Sequence, residues 1–234
     1  MSEKEQKKDE ELGSMSLMEH LTELRNRIGV IFLAFLVLFF LCFIRPFGGG
    51  SFNAADYVYF WLQAPLAEIL SERGGRMIFT GLHEGFFTQV KVAFFISISI
   101  TFPLILVQVW RFVAPGLYKN ERSAFMPFLI ATPILFAMGA AMVYYLVIPL
   151  AWDFFLSFEM VGGEGTLPIE VEPRISEYLS LVMRLMFAFG VSFELPVILL
   201  LLTKAGIVTP SGLARNRKYA ILIAFIAAAI LTPP

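Results

Sequence analysis

The sequence predicts an all-α, polytopic membrane protein, and its composition is the first observation behind that prediction. Hydrophobic residues make up 58% of the 234 residues and charged residues only 16%, against roughly 25% charged residues in soluble domains. The mean hydropathy is +0.74. The 25 phenylalanines add more apolar surface than a soluble core of this size can bury, so lipid must cover much of it. A soluble enzyme and a nucleic-acid-binding protein are therefore excluded as classes.

The second observation is the number of apolar stretches close to the length that crosses a bilayer. Five stretches, each predicted to be a transmembrane helix, cover residues 28–44, 86–110, 124–150, 178–202 and 219–231. The first is not a cleavable signal peptide, because the chain continues Arg45-Pro46-Phe47 without a small-residue cleavage site. We expect residues 16–234 to form a single transmembrane helical domain.

The basic residues predict the orientation of these helices. Of the 18 lysines and arginines, twelve lie in the amino-terminal segment and in the second and fourth connections, four lie in the first and third connections, and Lys91 and Arg184 lie within spans. Positively charged loops stay in the cytoplasm, so the amino terminus should be cytoplasmic. Five spans would then leave Pro234 outside, and we expect the chain to be truncated before a last helix.

The amino-terminal segment changes character at residue 16. Residues 1–15 are mostly charged or polar, which predicts a disordered cytoplasmic tail. Ser16-Leu17-Met18-Glu19 is a capping-box pattern, and apolar residues follow at helical spacing, so an amphipathic helix should lead into the first span. Glu23 and Arg27 can form an i,i+4 pair on it, and the simplest interpretation is an interfacial anchor.

The connections between spans also carry local signals. Aromatic residues crowd positions 57–62, which predicts an interfacial helix, and we expect interfacial helices in the outer loops. Pro65 should bend or end the first of them. In the segment from Trp110 to Arg122, the turn signal Pro115-Gly116 would display Phe112 and Glu121 at a compact tip. The alternative for Glu121 is a pair with Arg122 or Lys119.

Glu194 is the most informative single residue, because it is an acid inside the fourth apolar stretch. A carboxylate near the centre of a span costs about 2.5 to 3.5 kcal/mol on insertion scales, so it should face protein or water. We expect it to lie in a water-accessible groove. Lys91 on a neighbouring span is its expected internal partner, since Arg184 lies about 15 Å away along the same helix. The alternative is a protonated Glu194 carboxyl, since burial disfavours the charged form.

The sequence gives no sign of an enzyme, a metal site or a cofactor. The single cysteine, Cys42, excludes an intramolecular disulfide and a thiolate cage, and the two histidines, His20 and His83, are far apart. No nucleotide-binding G-x-x-x-x-G-K-[ST] run and no H-E-x-x-H pattern is present. Intramembrane protease chemistry also lacks its aspartate pair or its serine and histidine.

Four separated motifs, in order along the chain, resemble those of the TatC family, the large polytopic subunit of the twin-arginine protein translocase. They are Glu19-His20-Leu21-Thr22-Glu23-Leu24-Arg25-Asn26-Arg27, Phe112-Val113-Ala114-Pro115-Gly116-Leu117-Tyr118-Lys119-Asn120-Glu121-Arg122, Phe189-Gly190-Val191-Ser192-Phe193-Glu194-Leu195-Pro196 and Leu231-Thr232-Pro233-Pro234. The resemblance runs from residue 19 to the last residue.

The resemblance implies a fold of six helices in the bacterial cytoplasmic (inner) membrane, with both termini cytoplasmic. It also implies an oligomeric complex with the subunits TatA and TatB that moves folded proteins using the proton-motive force. Signal peptides with consecutive arginines would bind at Glu23, Phe112 and Glu121, with Arg25 and Arg122 as supporting cytoplasmic residues. Glu194 would face a concave intramembrane groove.

The stretch 219–231 predicts a docking site for a partner helix. Its 13 residues span about 20 Å, against a hydrocarbon core of about 30 Å. Such a mismatch thins the bilayer or recruits a helix. We therefore expect TatA or TatB to dock at Ile223 and Phe225.

Two other functions remain open from the residues alone. One is a small-molecule transporter coupled to protons through Glu194, although no convincing inverted repeat supports it. The other is a non-transporting assembly scaffold. Binding of a twin-arginine peptide would separate the translocase subunit from both.

The predicted topology places residues 48–84 and 153–177 outside, and the amino terminus and the loop from Trp110 to Arg122 inside. A cysteine introduced at Gly163 should react with an impermeant thiol reagent added from the outer side, whereas one at Asn120 should not. The opposite labelling pattern would contradict the orientation.

Overall fold

The computed structural model describes residues 17–44, 53–113, 126–159, 167, 171–204 and 206–231. Within these ranges every regular element is helical, as predicted. The elements are α1 (Leu17–Phe43), α2 (Ala54–Arg73), α3 (Glu84–Val113), α4 (Met126–Met142), a π-helical turn (Val143–Val147), α5 (Ile148–Leu156), α6 (Ile175–Phe193), α7 (Leu195–Lys204), α8 (Pro210–Arg215) and α9 (Arg217–Leu231).

Four helical segments in the described part of the chain are long and apolar enough to cross a membrane. They are Leu21–Phe43, Glu84–Val109, Ile130–Leu156 and Ile175–Lys204. The third joins α4, the π turn and α5, and the fourth joins α6 and α7. The fifth predicted span is helical as α9, but its 15 residues reach only about 22 Å. The polytopic all-α class is confirmed.

Helices α1 and α3 run antiparallel and form one wall of the bundle. Near the start of α1, Arg27 contacts Gln108 near the end of α3. Near the end of α1, the Phe43 ring packs edge-on against Phe86 at the start of α3. We call the end that carries the start of α1 the amino-terminal face, and the end that carries α2 the cap face.

Helix α2 is packed into the protein and does not merely lie on the surface of a membrane. Leu62, Leu66 and Leu70 follow one another at helical spacing and are buried in the core, while Tyr57 and Phe60 are exposed on the other side. An Asn53 capping box begins the helix. The prediction of a helix here is thus correct, but one face of it is core. In the other connection that is predicted to lie outside, the described residues between α5 and α6 are not helical.

Pro65 does not end α2, contrary to one of the two expected effects, because the helix continues to Arg73. Proline has no backbone N–H, so the Trp61 carbonyl one turn earlier loses its helical donor. The Tyr144 hydroxyl, from the π turn, donates to that carbonyl at 2.8 Å. The Trp61 and Tyr144 rings also stack, with centroids 4.1 Å apart. A side chain from another helix therefore satisfies the group that the proline leaves open.

Two short segments lock the cap face. Ile78 and Arg174 form an isolated parallel bridge between the segments before α3 and before α6. The Glu84 carboxylate accepts from the backbone N–H of Thr80 at 2.7 Å and of Gly81 at 3.1 Å. Its other oxygen accepts from the Ser176 hydroxyl. These bonds fix the cap-face ends of α3 and α6 side by side.

Tyr144→Phe should destabilise the protein by about 1 kcal/mol, because it removes the hydrogen bond to the partly buried Trp61 carbonyl, and such a bond contributes about 0.5 to 1.5 kcal/mol. Thermal unfolding of the purified protein in detergent measures the loss. Tyr145→Phe, at an exposed neighbouring position, is the control and should change little.

Adding Pro65→Ala to the Tyr144→Phe variant should recover much of the stability that this variant loses, since alanine restores the helical N–H donor to the Trp61 carbonyl. Equal effects of Tyr144→Phe with and without Pro65→Ala would contradict this explanation.

Candidate functional site

Glu23 and Arg27 join α1 to α3 at the amino-terminal face. The Arg27 Nε donates to Oε1 of Glu23 at 3.1 Å, and Nη2 donates to the same oxygen. The remaining Nη1 donates to Oε1 of Gln108 at 3.2 Å. The side chains of Arg27 and Glu23 are only 20% and 21% exposed. The i,i+4 pair considered from the sequence is therefore formed, and it also reaches a second helix.

The other carboxylate oxygen of Glu23, Oε2, is buried and receives no hydrogen bond from the described residues. Burying a carboxylate oxygen without a donor is costly. Glu23 thus presents a fixed acceptor whose position Arg27 and Gln108 determine, and this acceptor would be stabilised by a new cationic donor.

A cleft of about 590 Å³ surrounds this pair. Its polar lining includes Glu19, Thr22 and Asn26 besides Glu23, Arg27 and Gln108, and Met18 and Val30 add apolar surface. Arg25, expected as a supporting residue, is exposed and does not line the cleft. The site combines carboxylates with apolar surface, a composition that suits a cationic segment followed by a hydrophobic one.

Phe112 lies near the level of Glu23 along the bundle, but it is not among the residues that line the cleft. It is half-buried in the last turn of α3, one turn beyond Gln108. Since α1 and α3 are antiparallel and Arg27 meets Gln108, one turn further toward the amino-terminal face brings Glu23 opposite Phe112. Glu121 and Arg122 lie outside the described residues, so their expected place at the site stays a prediction.

Sequence reasoning missed Gln108 as a site residue and treated Arg27 only as a local partner. Gln108 is a buried amide within an apolar stretch of α3 that covers residues 102–110. A polar side chain at such a position must find a partner within the protein. That signal could have identified Gln108, although it could not have shown that the partner is Arg27.

Glu194 is fully buried, at 0% exposure, where α6 gives way to α7. Pro196 causes the interruption, because it has no N–H for the Ser192 carbonyl. The expected water-accessible groove does not reach the carboxyl, since the packing of helix against helix encloses it. Thr132 and Phe136 of α4 lie beside it, but neither carboxylate oxygen completes a hydrogen bond within the described part of the chain.

Lys91 is not the partner of Glu194, contrary to expectation. Its ammonium donates to the Ser180 hydroxyl at 3.1 Å. Ser180 lies about 21 Å from Glu194 along the helix, so Lys91 is much nearer the cap face than the carboxyl is.

Two glycines bring α4 and α6 close together beside Glu194. A Cβ at Gly139 would lie 2.6 Å from the Phe189 carbonyl oxygen, and a Cβ at Gly190 would lie 2.6 Å from the Phe136 ring. Only glycine permits this backbone approach, as is common where membrane helices pack. The close approach explains why the carboxyl four residues after Gly190 is enclosed.

Helix α9 presents apolar side chains without covering neighbours. Every described residue of the helix is exposed, including Ile223 at 65% and Phe225 at 71%. The two residues predicted to dock a partner are therefore accessible.

Comparison with known proteins identifies the family. A family model described as Sec-independent protein translocase protein (TatC) matches residues 19–234. This chain belongs to the TatC family. A Sec-independent protein translocase protein TatC from Magnetococcus marinus is 50% identical over 218 residues, or 93% of this chain and 74% of that protein. The protein of the same name from Escherichia coli K12 is 40% identical over 93% of this chain and 78% of its own length.

A solved structure agrees with the family. The crystal structure of a twin arginine translocase receptor, TatC in the detergent DDM, has a TM-score of 0.75 and 36% sequence identity, covering 92% of this chain and 89% of that one. The resemblance seen in the four motifs is confirmed. As a TatC-family member, the chain is a multi-pass membrane protein of a protein translocase, a transport subunit.

Proposed function

We propose that this chain is the receptor subunit of a twin-arginine translocase. It binds signal peptides with consecutive arginines at its amino-terminal face and, with TatA and TatB, moves folded proteins across the membrane using the proton-motive force. The observation that carries the proposal is the Glu23 carboxylate, which Arg27 and Gln108 hold in place through one oxygen while the other oxygen has no donor. Names of relatives and a solved TatC receptor support the same function.

A guanidinium is the cation that this carboxylate suits. Arginine presents several N–H donors in a planar fork that engages carboxylates at two points, whereas lysine offers one compact charge. In the proposed complex one arginine of the peptide reaches Oε2 of Glu23, and Glu121 receives the second. Two acceptors on two segments would explain a requirement for two adjacent arginines.

In the proposed complex Phe112 adds to the apolar part of the site. It lies level with Glu23 on the facing helix and is half-buried. In the complex it packs against the hydrophobic residues that follow the arginine pair, and Met18 and Val30 extend the apolar surface of the cleft.

The proposed orientation puts this face in the cytoplasm of a bacterium and the cap face outside. The basic residues support it, because the segments at the amino-terminal face hold most of them. Signal peptides are made in the cytoplasm, so a receptor must present its carboxylates there.

The proposed partner surface is α9. The helix is about 22 Å long, shorter than the hydrocarbon core, and its apolar side chains are exposed, among them Ile223 and Phe225. A helix of TatA or TatB lying along it would cover this surface and relieve the mismatch.

A proton-coupled transporter has weaker support. Glu194 is enclosed between α4 and α6, and the Thr132 side chain lies beside it. A transporter needs a substrate site near such a carboxyl, whereas the cleft of about 590 Å³ with several polar groups lies around Glu23.

Glu23→Gln and Glu121→Gln should each weaken binding of a twin-arginine peptide to the purified protein roughly 10-fold to 100-fold, because each removes one charge-assisted pair of about 1.5 to 3 kcal/mol. Each should also reduce the preference for twin-arginine over twin-lysine peptide. Calorimetry or fluorescence anisotropy measures both quantities.

Glu68→Gln is the matched control for these variants, since Glu68 is exposed on α2 at the cap face. It should leave the affinity unchanged. Wild-type affinity and wild-type arginine preference in both Glu23→Gln and Glu121→Gln would remove these residues from the receptor site.

The partner surface has its own test. A photoreactive residue at Ile223 or Phe225 should crosslink to TatA or TatB in membranes, because a helix docked on α9 contacts these exposed side chains. A photoreactive residue at Tyr57, exposed on α2, serves as the control. Crosslinks from neither α9 position, with good crosslinking elsewhere in the protein, would exclude α9 as the docking surface.

A further inference from the structure

Lys91 and Arg184 form a pair of cations on the lipid-facing side of the bundle. They lie on α3 and α6, within two segments apolar enough to cross a membrane, and both side chains are exposed. A groove of about 570 Å³ joins them. The groove is otherwise mostly apolar, and its lining includes Phe94, Phe95, Ile98, Ser180, Met183 and Phe187.

Neither cation pairs with a carboxylate among the described residues. The nearest acids along their own helices are Glu84 and Glu177, each about two turns closer to the cap face. Arg174 engages both, at 4.0 Å and 2.6 Å. Lys91 donates only to the neutral Ser180 hydroxyl. The groove thus carries two positive charges, and the acids nearest along the helices already have a basic partner.

The positions of the two cations along their helices fix their depth. From Lys91 to Arg111 in the last turn of α3 is about 20 residues, or about 30 Å of helix. From Arg184 to Lys204 at the end of α7 the distance is about the same. The hydrocarbon core is also about 30 Å thick. If the basic residues at the amino-terminal face mark one boundary of the core, Lys91 and Arg184 both mark the other.

We propose that this groove binds one anionic phospholipid of the leaflet at the cap face. Its phosphate lies between the Lys91 ammonium and the Arg184 guanidinium, which donate charge-assisted hydrogen bonds to it. One acyl chain follows the groove toward the bilayer centre over Phe94, Ile98 and Phe187. The two positive charges, their depth at the edge of the hydrocarbon core and the apolar lining of the groove together favour a lipid. The phosphate of a lipid at this depth is joined to acyl chains that enter the core.

An acidic side chain of a partner transmembrane helix is the competing occupant. Such a carboxylate would usually lie inside the hydrocarbon core, where it needs a buried cation. Lys91 and Arg184 lie at the edge of the core, where lipid phosphates already are. The depth therefore favours the lipid, and the experiment separates the two.

The test counts lipids bound to the purified protein by native mass spectrometry during titration with phosphatidylglycerol or phosphatidylcholine. The unaltered chain should retain phosphatidylglycerol in preference to phosphatidylcholine. Lys91→Gln/Arg184→Gln should bind phosphatidylglycerol roughly 30-fold more weakly, since each basic residue near an anionic lipid contributes about a fivefold factor. If the double variant does not fold, Lys91→Gln and Arg184→Gln are measured singly, each with about a fivefold loss expected.

Arg215→Gln/Arg217→Gln is the matched control, because it removes two exposed cations at the amino-terminal face. It should keep the phosphatidylglycerol that the groove holds. An equal loss in this control, equal binding of both lipids, or displacement of the lipid by inorganic phosphate would overturn the proposal. Unchanged phosphatidylglycerol binding in the groove variants, with loss of a co-purifying partner subunit, would assign the groove to a partner helix.

Discussion

The constraint on which this structure depends is that hydrocarbon offers no hydrogen bonds, so each polar group within the bundle must find a partner in the protein. The Trp61 carbonyl, which Pro65 deprives of its helical donor, shows how the constraint is met: Tyr144 crosses from another helix to supply the bond. Glu84 is satisfied in the same way by backbone N–H groups and hydroxyls around it. These bonds set the position of α2 against the π turn and the position of α3 against α6.

The same constraint makes the unsatisfied groups informative. Oε2 of Glu23 and both oxygens of Glu194 are buried without donors among the described residues. Glu194 is enclosed by the glycine-mediated approach of α4 to α6. Glu23, in contrast, lines an open cleft, so a ligand can supply the missing donor there. In the proposed function that donor is an arginine of the signal peptide. Arg27 then has a positioning role, because it orients the carboxylate without occupying both oxygens.

The sequence predicted the helices well because a bilayer-spanning helix needs a long apolar run, and such runs are visible directly. The predictions for single polar residues were less successful. Lys91 was assigned to Glu194 on charge alone, but the two lie at different depths in the bundle. The enclosure of Glu194 could not be predicted, because no local pattern shows that Gly139 and Gly190 bring α4 and α6 together. That α2 continues past Pro65 to Arg73 could not be predicted, because the sequence does not show that Tyr144 reaches the freed Trp61 carbonyl. The pairing of Arg27 with Gln108 depends on the register of α1 against α3, which residue spacing within either helix cannot give.

The central claim is that Glu23 receives an arginine of the peptide in addition to anchoring α1 through Arg27. The exchange variant Glu23→Arg/Arg27→Glu tests it most directly, because it keeps an i,i+4 ion pair on α1 while removing the acceptor from position 23. The measurement is the affinity of the purified exchange variant for a twin-arginine peptide, with its thermal stability alongside. We expect near-normal stability and loss of most of the binding. Normal affinity in a stably folded exchange variant would show that Glu23 serves only as an anchor, and would contradict the claim.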